Sequence, residues 1–161
     1  MKTESLALAR LLQLASPALP VGAYSYSQGL EAAITAGIVH DAESAGRWIG
    51  DVLDFSVARL EAPVLLRLHA AWSVGDSEKA AHWNALVLAT RESAELRAES
   101  ARMGYSLARL LAELGEDALD AWQDVSFTAA FAYAAACWGI AADDALVAYL
   151  WAWAENQVIP S

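Results

Sequence analysis

Three glutamates in the middle of the sequence have a spacing that could serve metal chemistry. Glu92, Glu95 and Glu99 are separated by three and four residues, so a helix would place their carboxylates along one face. Di-metal helical bundles bind their ions with inward-facing carboxylates, but they also use Glu-x-x-His pairs on the partnering helices. The sequence contains no such pair. We therefore interpret the three glutamates as a solvated helical face and expect no metal ligands among them.

The other residues able to do chemistry are scattered along the chain. His40, His69 and His82 lie in separate segments, and no two of them stand three or four residues apart as ligands on one helix would. A single cysteine excludes an intrachain disulfide. The sequence has neither a Gly-x-x-x-x-Gly-Lys phosphate loop nor a Gly-x-Ser-x-Gly nucleophile motif. We therefore predict a protein that is not an enzyme, with no catalytic residue, no metal site and no cofactor.

The densest group of hydroxyl and aromatic side chains lies in residues 17–31. Two prolines and two glycines in this stretch require an irregular loop, because proline fixes φ and glycine permits positive φ. Ser25 and Gln28 then have the spacing of a helix capping box, with Ser27 as a competing cap. One cap does not need so many hydroxyls, so the loop is the first candidate for a recognition surface. The alternative is a capped turn whose tyrosines pack on the core.

The composition is that of one helical domain. Hydrophobic residues make up 57% of the 161 positions, alanine is abundant, and β-branched residues never form alternating runs. The net charge of −10 and the lack of a basic cluster make nucleic acid and anionic membranes poor partners. The lone cysteine and the absence of a secretory signal fit the cytoplasm. We predict a single all-α domain over residues 1–161, a compact bundle of about eight helices.

Start and stop signals define the elements that would position the candidate residues. Helices are expected at about 4–14, 27–36, 41–59, 63–73, 77–88, 90–114, 127–138 and 143–158. The helix at 90–114 is the longest and is expected at the centre of the bundle. The 18 uncharged residues from 125 to 142 reach the lower limit for a membrane span. Their polar members and flanking aspartates favour a helix buried in protein.

Three blocks of the sequence resemble the urease accessory protein UreF family. The first is SPALPVGAYSYSQGLE at residues 16–31, the second begins ATRESAELR at residue 89, and the third is ALVAYLWAWAENQV at 145–158. They occur in family order across nearly the whole chain. The resemblance implies an all-helical, non-enzymatic chaperone that forms a homodimer, joins UreD (UreH in some organisms) and recruits the GTPase UreG. Nickel is then delivered to apo-urease.

The resemblance also implies which residues contact partners. From the first block these are Tyr24, Ser25, Tyr26, Ser27, Gln28 and Glu31. From the other two they are Arg91, Glu92, Glu155, Asn156 and Gln157, for which hydrogen bonding between helices within the fold is an equal alternative. Family members usually continue for a few dozen residues more, so the chain is expected to lack a C-terminal segment that contributes contacts to UreD.

Several functions are compatible with this sequence. The first is a scaffold that couples the GTPase to apo-urease and regulates GTP hydrolysis. The second is a small helical-bundle enzyme or ligand-binding protein with a pocket near Tyr24, Tyr26 and Glu31, where Glu31 would act as acid or base. A third is weak nickel binding by carboxylates at a dimer interface. Trp151 and Trp153 cannot share a helical face, so we expect one in the core and the other against a neighbouring subunit or the missing C-terminal segment.

Overall fold

The computed structural model describes residues 2–22 and 28–158, except the side chains of Lys2, Thr3 and Gln28. The α-helices in these residues are α1 Lys2–Ala15, α2 Gln28–Thr35, α3 Ala42–Val52, α4 Ala62–Ser73, α5 Ser77–Ala89, α6 Ala94–Glu113, α7 Phe127–Cys137 and α8 Ala142–Val158. A π-helical segment, Leu53–Glu61, joins α3 to α4. The described part of the chain contains no strand, and the predicted all-α class is confirmed.

Aspartate and serine caps begin four of the helices. The Asp41 carboxylate accepts the Ser44 backbone N–H at 2.7 Å, while Ser44 Oγ accepts the Asp41 N–H at 3.0 Å. Asp76, Ser93 and Ser126 each accept a backbone N–H at the start of α5, α6 and α7. A cap of this kind stabilises a helix by about 1 kcal/mol. The helix starts predicted near residues 41 and 77 are therefore confirmed.

Helix α7 forms the centre of the bundle. Its nine consecutive residues from Phe127 to Ala135 are all buried, and it packs most extensively against α4 and α6. A helix that is apolar on every side must be enclosed by protein. The expectation that the longest helix would be central is therefore wrong, because α6 buries only one face, through residues such as Met103, Leu107 and Leu111. Among the described residues, no helix is long and apolar enough to cross a membrane.

Two element boundaries differ from the prediction, and the second of them changes the element in which two candidate residues lie. The π-helical segment continues α3 directly into α4, so residues 42–73 follow one helical path with Pro63 in the first turn of α4. Proline has no N–H to donate to the preceding turn, and the Ala62 N–H just before it donates to the Val57 carbonyl in the wider π-helical pattern. Ser93 caps α6, which begins at Ala94 rather than near residue 90. Arg91 and Glu92 consequently lie in the turn between α5 and α6.

Close contacts fix the residues that lead into α7. The side-chain amide of Asn84 on α5 donates to the Asp124 carbonyl and accepts the Ser126 N–H, both at 2.7 Å. Gly104 of α6 lies against the same segment, and a Cβ at that position would stand 1.9 Å from the Val125 carbonyl oxygen. Glycine therefore allows α6 to approach the start of α7 more closely than any other residue would.

Candidate functional site

A buried ion pair links the π-helical segment to the turn after α5. Glu61 ends the segment and forms a salt bridge with Arg91; their side chains are 5% and 14% exposed. The Tyr149 hydroxyl of α8 donates to the second Glu61 oxygen, and Thr128 Oγ1 of α7 lies 2.9 Å from that hydroxyl. Because the single hydroxyl hydrogen of Tyr149 is directed at Glu61, Thr128 is the donor in the other contact. The network therefore ties four elements together.

A cavity of about 210 Å³ lies beside this ion pair. We name it the Glu99 cavity; the residues that line it include Gly29, Trp48, Arg91, Glu99, Trp153 and Gln157. They come from α2, α3, the turn before α6, α6 itself and α8. The exposed residue Glu92 also lines the cavity, which therefore reaches the protein surface.

Glu99 contradicts the interpretation of Glu92, Glu95 and Glu99 as one solvated helical face. Glu92 lies outside the helix and Glu95 is exposed, but Glu99 is only 2% exposed. Burial raises the pKa of Glu99 to about 7, and the positive charges of Arg102 and Arg91 oppose that rise. Within the described residues, Glu99 Oε1 has no hydrogen-bond donor. Glu99 is thus a buried acid with an open acceptor position.

Gln157 supplies a second open acceptor in the same cavity. It is 4% exposed, and its Nε2 donates to the Trp153 carbonyl at 3.3 Å. Its Oε1 finds no donor in the part of the chain that the structure describes. A buried acceptor without a partner costs about 1–3 kcal/mol. Two such atoms at one cavity indicate a place where a hydrogen-bond donor would be stabilised.

The residues predicted to contact partners fall into three groups. Tyr24, Ser25, Tyr26 and Ser27 lie outside the described residues, and Gln28 begins α2 without a described side chain.

On the described surface, Glu31 is exposed on α2, whereas Glu155 and Asn156 are half-buried on α8. The structure brings together Arg91, Glu92 and Gln157, which all line the Glu99 cavity. The alternative function requires Glu31 to act as an acid or base in an enclosed pocket. Because Glu31 is exposed, it lacks the burial that such a role needs.

Sequence reasoning missed Glu61 and Tyr149. Glu61 is the only charged residue in the apolar run of residues 60–66. A lone carboxylate in such a run must find a partner when the run is buried, so this signal could have identified it. Tyr149 has no comparable signal, because an aromatic residue in an apolar helix is ordinary in a core.

Helix α8 presents its two nearby tryptophans to different surroundings. Trp153 is 6% exposed and belongs to the core, whereas Trp151 is 64% exposed. Val147 and Val158 are also exposed, and their spacing from Trp151 puts all three on one side of the helix. We call these three residues the α8 stripe. The prediction that one of the two tryptophans lies in the core is confirmed, and the contact of the other with a neighbouring subunit or further segment stays a prediction.

Comparison with known proteins agrees with the resemblance seen in the three sequence blocks. The UreF family model matches residues 39–159, a range that includes Glu61, Arg91, Glu99 and Gln157. The chain belongs to the UreF family. The matched range covers the ion pair and both open acceptors, so these features lie within the part of the chain that defines the family match.

Individual relatives within the UreF family match nearly all of the chain. It is 57% identical to the urease accessory protein UreF of Azoarcus sp. (strain BH72), over 96% of this chain and 69% of the relative. It is 51% identical to that of Dechloromonas aromatica (strain RCB), over 99% of this chain and 72% of the relative. It is 53% identical to that of Methylobacillus flagellatus, over 96% of this chain and 71% of the relative.

Proposed function

We propose that the chain is a urease accessory scaffold that supports the insertion of nickel into apo-urease. The observation that carries this proposal is membership of the UreF family, whose relatives are named urease accessory proteins. The scaffold joins UreD (UreH in some organisms), recruits the GTPase UreG and works in the cytoplasm. Nickel is the cargo of the assembly.

The partner-binding surface lies around the mouth of the Glu99 cavity. Arg91 and Glu92 of the second block and Gln157 of the third meet there, together with Gly29 of α2. Gly29 belongs to the first block, so each of the three blocks contributes at least one residue to the cavity. Convergence of three separate blocks on one region supports a shared role in binding. The exposed residues Glu31 and Glu92 would contact partners directly.

Regulation of GTP hydrolysis by this scaffold works through assembly and not through an arginine supplied to the nucleotide site. Arg91 is the arginine that the family resemblance singles out, and it is held by Glu61 inside the bundle. A catalytic arginine supplied in trans must reach the phosphates of the partner. Because Arg91 is held in the ion pair, its role is to position the turn in which it lies. We propose that contacts between the scaffold and UreG couple GTP hydrolysis to the release of nickel.

A second copy of the chain binds at the α8 stripe and forms a homodimer. Trp151 at 64% and Val147 at 68% exposure present large apolar side chains to solvent. Exposed tryptophan is enriched at the energetic centres of protein interfaces. The stripe lies opposite the buried face of α8, so it can contact another chain while the core stays intact.

A complementation experiment tests the proposed function. The chain would be expressed in urease-producing cells that lack their own UreF protein, and the nickel content and activity of purified urease would be measured. We expect both to rise above the level of the empty vector, toward that given by the UreF protein of Azoarcus. Nickel content equal to that of the empty vector, in cells that contain the folded chain, would refute the proposal.

A further inference from the structure

We propose that the Glu99 cavity is a binding site for a small primary ammonium group. This inference is independent of the urease-related function, because it rests on the polar atoms, charges and walls of the cavity. The ammonium group would belong either to a free alkylammonium ion or to a lysine side chain, and the two share the chemistry that the cavity recognises.

The open polar atoms of the cavity require a donor. Glu99 Oε1 and Gln157 Oε1 line the same space, lie on residues that are 2% and 4% exposed, and have no donor among the described residues. Nearly all buried polar groups in folded proteins have a partner. Gln157 uses its amide nitrogen on the Trp153 carbonyl, which leaves its oxygen as an acceptor, and the Glu99 oxygens accept when the carboxyl is ionised. An ammonium group offers three N–H donors and no acceptor.

The charge at the cavity selects a cation over a neutral donor. Glu61, Glu92 and Glu99 line it together with one cation, Arg91. Arg91 is paired with Glu61, and among the described residues Glu99 has no salt bridge, although the positive charges of Arg102 and Arg91 act on it from a greater distance. A buried carboxylate is strongly stabilised by an opposite charge that also donates hydrogen bonds.

Direct metal coordination is less well supported than hydrogen bonding to an ammonium group. Among the described residues, no three histidine, cysteine, aspartate or glutamate side chains form a group that could hold a metal ion. A metal ion needs several ligands at short fixed distances, whereas an ammonium group needs only acceptors around it. The Gln157 oxygen and the Glu99 carboxylate meet the second requirement.

The size and walls of the cavity fit an alkylammonium ion. The cavity volume of about 210 Å³ is larger than the roughly 30 Å³ that one molecule occupies in liquid water. It is smaller than the pockets of about 300–1,000 Å³ that bind drug-sized ligands. Trp48 and Trp153 line the cavity, and the ring of a tryptophan attracts cations. The apolar residues Val52, Leu60 and Leu96 offer surface to a short alkyl chain.

Titration with n-butylammonium chloride, followed by NMR of the tryptophan indole N–H signals, tests the site. Trp48→Phe and Trp153→Phe variants would assign the two signals from the cavity. We expect saturable shifts of these signals below ~100 mM ligand, at constant ionic strength and at about pH 8, above the pKa of about 7 that burial gives Glu99. Tetramethylammonium, which has no N–H donor, and n-butanol, which has no charge, should give no saturable shift. Absence of saturation with n-butylammonium, or equal binding of tetramethylammonium, would overturn the proposal.

Substitution of Glu99 provides the matched comparison. Glu99→Gln keeps the shape of the side chain and should weaken binding about tenfold or more, since it removes the charge-assisted contact. Glu95→Gln, on the exposed side of the same helix, should leave binding unchanged. Circular dichroism would establish that both variants are folded. Binding by folded Glu99→Gln that equals the wild type would contradict the proposal.

A lysine derivative separates the two sources of the ammonium group. Nα-acetyl-lysine amide carries the same ammonium and a similar alkyl chain on a peptide backbone. Binding as tight as that of n-butylammonium would support the site as a receptor for a lysine side chain. Clearly weaker binding, with saturation by n-butylammonium, would support a site for a small free amine.

Discussion

Arg91 and Glu61 stand 30 positions apart in the sequence and form a salt bridge inside the bundle. The pair fixes the turn before α6 to the end of the π-helical segment. Tyr149 extends this contact to α8 by donating to Glu61. Two of the three blocks that resemble the UreF family, the second and the third, are thus connected through a residue, Glu61, that belongs to none of them.

Removal of the Arg91 charge should destabilise the fold strongly. Arg91→Met leaves the buried Glu61 carboxylate without its cation, and we expect the free energy of unfolding to fall by about 3–5 kcal/mol. Arg47→Met is the control, because Arg47 pairs with Glu43 at 2.6 Å on the exposed surface of α3. That change should cost at most about 0.5 kcal/mol. Urea denaturation measures both, and equal losses would contradict the structural role of the buried pair.

The stability of the protein should depend on pH through Glu99. Burial raises the folded-state pKa of Glu99 to about 7, above its ordinary value of 4.5, so the folded state holds the proton more tightly. The associated stability is complete below pH 4.5 and is lost as the pH rises through 7. Relative to Glu99→Gln, the wild type should lose about 2–3 kcal/mol of unfolding free energy between pH 5 and pH 8.

Urea denaturation of both proteins at several pH values measures this dependence. Glu95→Gln serves as the control, since Glu95 is exposed on the same helix. Its difference from the wild type should stay nearly constant over the same range. A Glu99→Gln difference that does not change with pH would show that Glu99 is not held in its protonated form by burial.

The close approach of α6 to the start of α7 should tolerate no side chain at Gly104. Gly104→Ala would place a Cβ 1.9 Å from the Val125 carbonyl oxygen, so backbone must move. We expect a loss of about 3 kcal/mol or more of unfolding free energy. Gly46→Ala in α3, where a Cβ meets no atom within 4 Å, should gain about 0.5–1 kcal/mol. Thermal unfolding of the two variants compares them, and unchanged stability of Gly104→Ala would refute the packing.

The two tryptophans of α8 should respond differently to truncation. Trp153→Ala empties a core position and should cost about 3–5 kcal/mol of unfolding free energy. Trp151→Ala changes an exposed residue and should alter stability by about 0.5 kcal/mol or less while it weakens self-association. Thermal melts and sedimentation velocity measure the two effects. Equal thermal destabilisation by both changes would rule out the α8 stripe as an interface.

Local signals were sufficient for most of the helices but not for their arrangement. Caps such as Asp41 and Asp76 act on the adjacent turn, so the sequence contains the whole cause of those helix starts. The π-helical segment was missed because its residues have the same local preferences as an α-helix. Glu99 lies at a cavity that residues of α8 and α3 also line, and these helices are distant from it in sequence, so its spacing from Glu92 and Glu95 was misleading.

Some residues of the candidate site were among those that the family resemblance singled out. The family blocks identified Arg91, Glu92 and Gln157, and the structure places them at one cavity. Glu61 was missed because its partner Arg91 becomes a neighbour only through tertiary packing. The description of residues 1–161 as a single domain stays a prediction, as does the role of every residue predicted to contact a partner.

The mass of the complex formed with UreD and UreG tests the central claim most directly. The chain would be co-purified with both proteins from the same source and analysed by light scattering coupled to size-exclusion chromatography. We predict one peak that contains all three proteins and whose mass exceeds that of two copies of the chain. Elution of the folded chain as a monomer, with UreD and UreG in separate peaks, would contradict its role as the scaffold of the assembly.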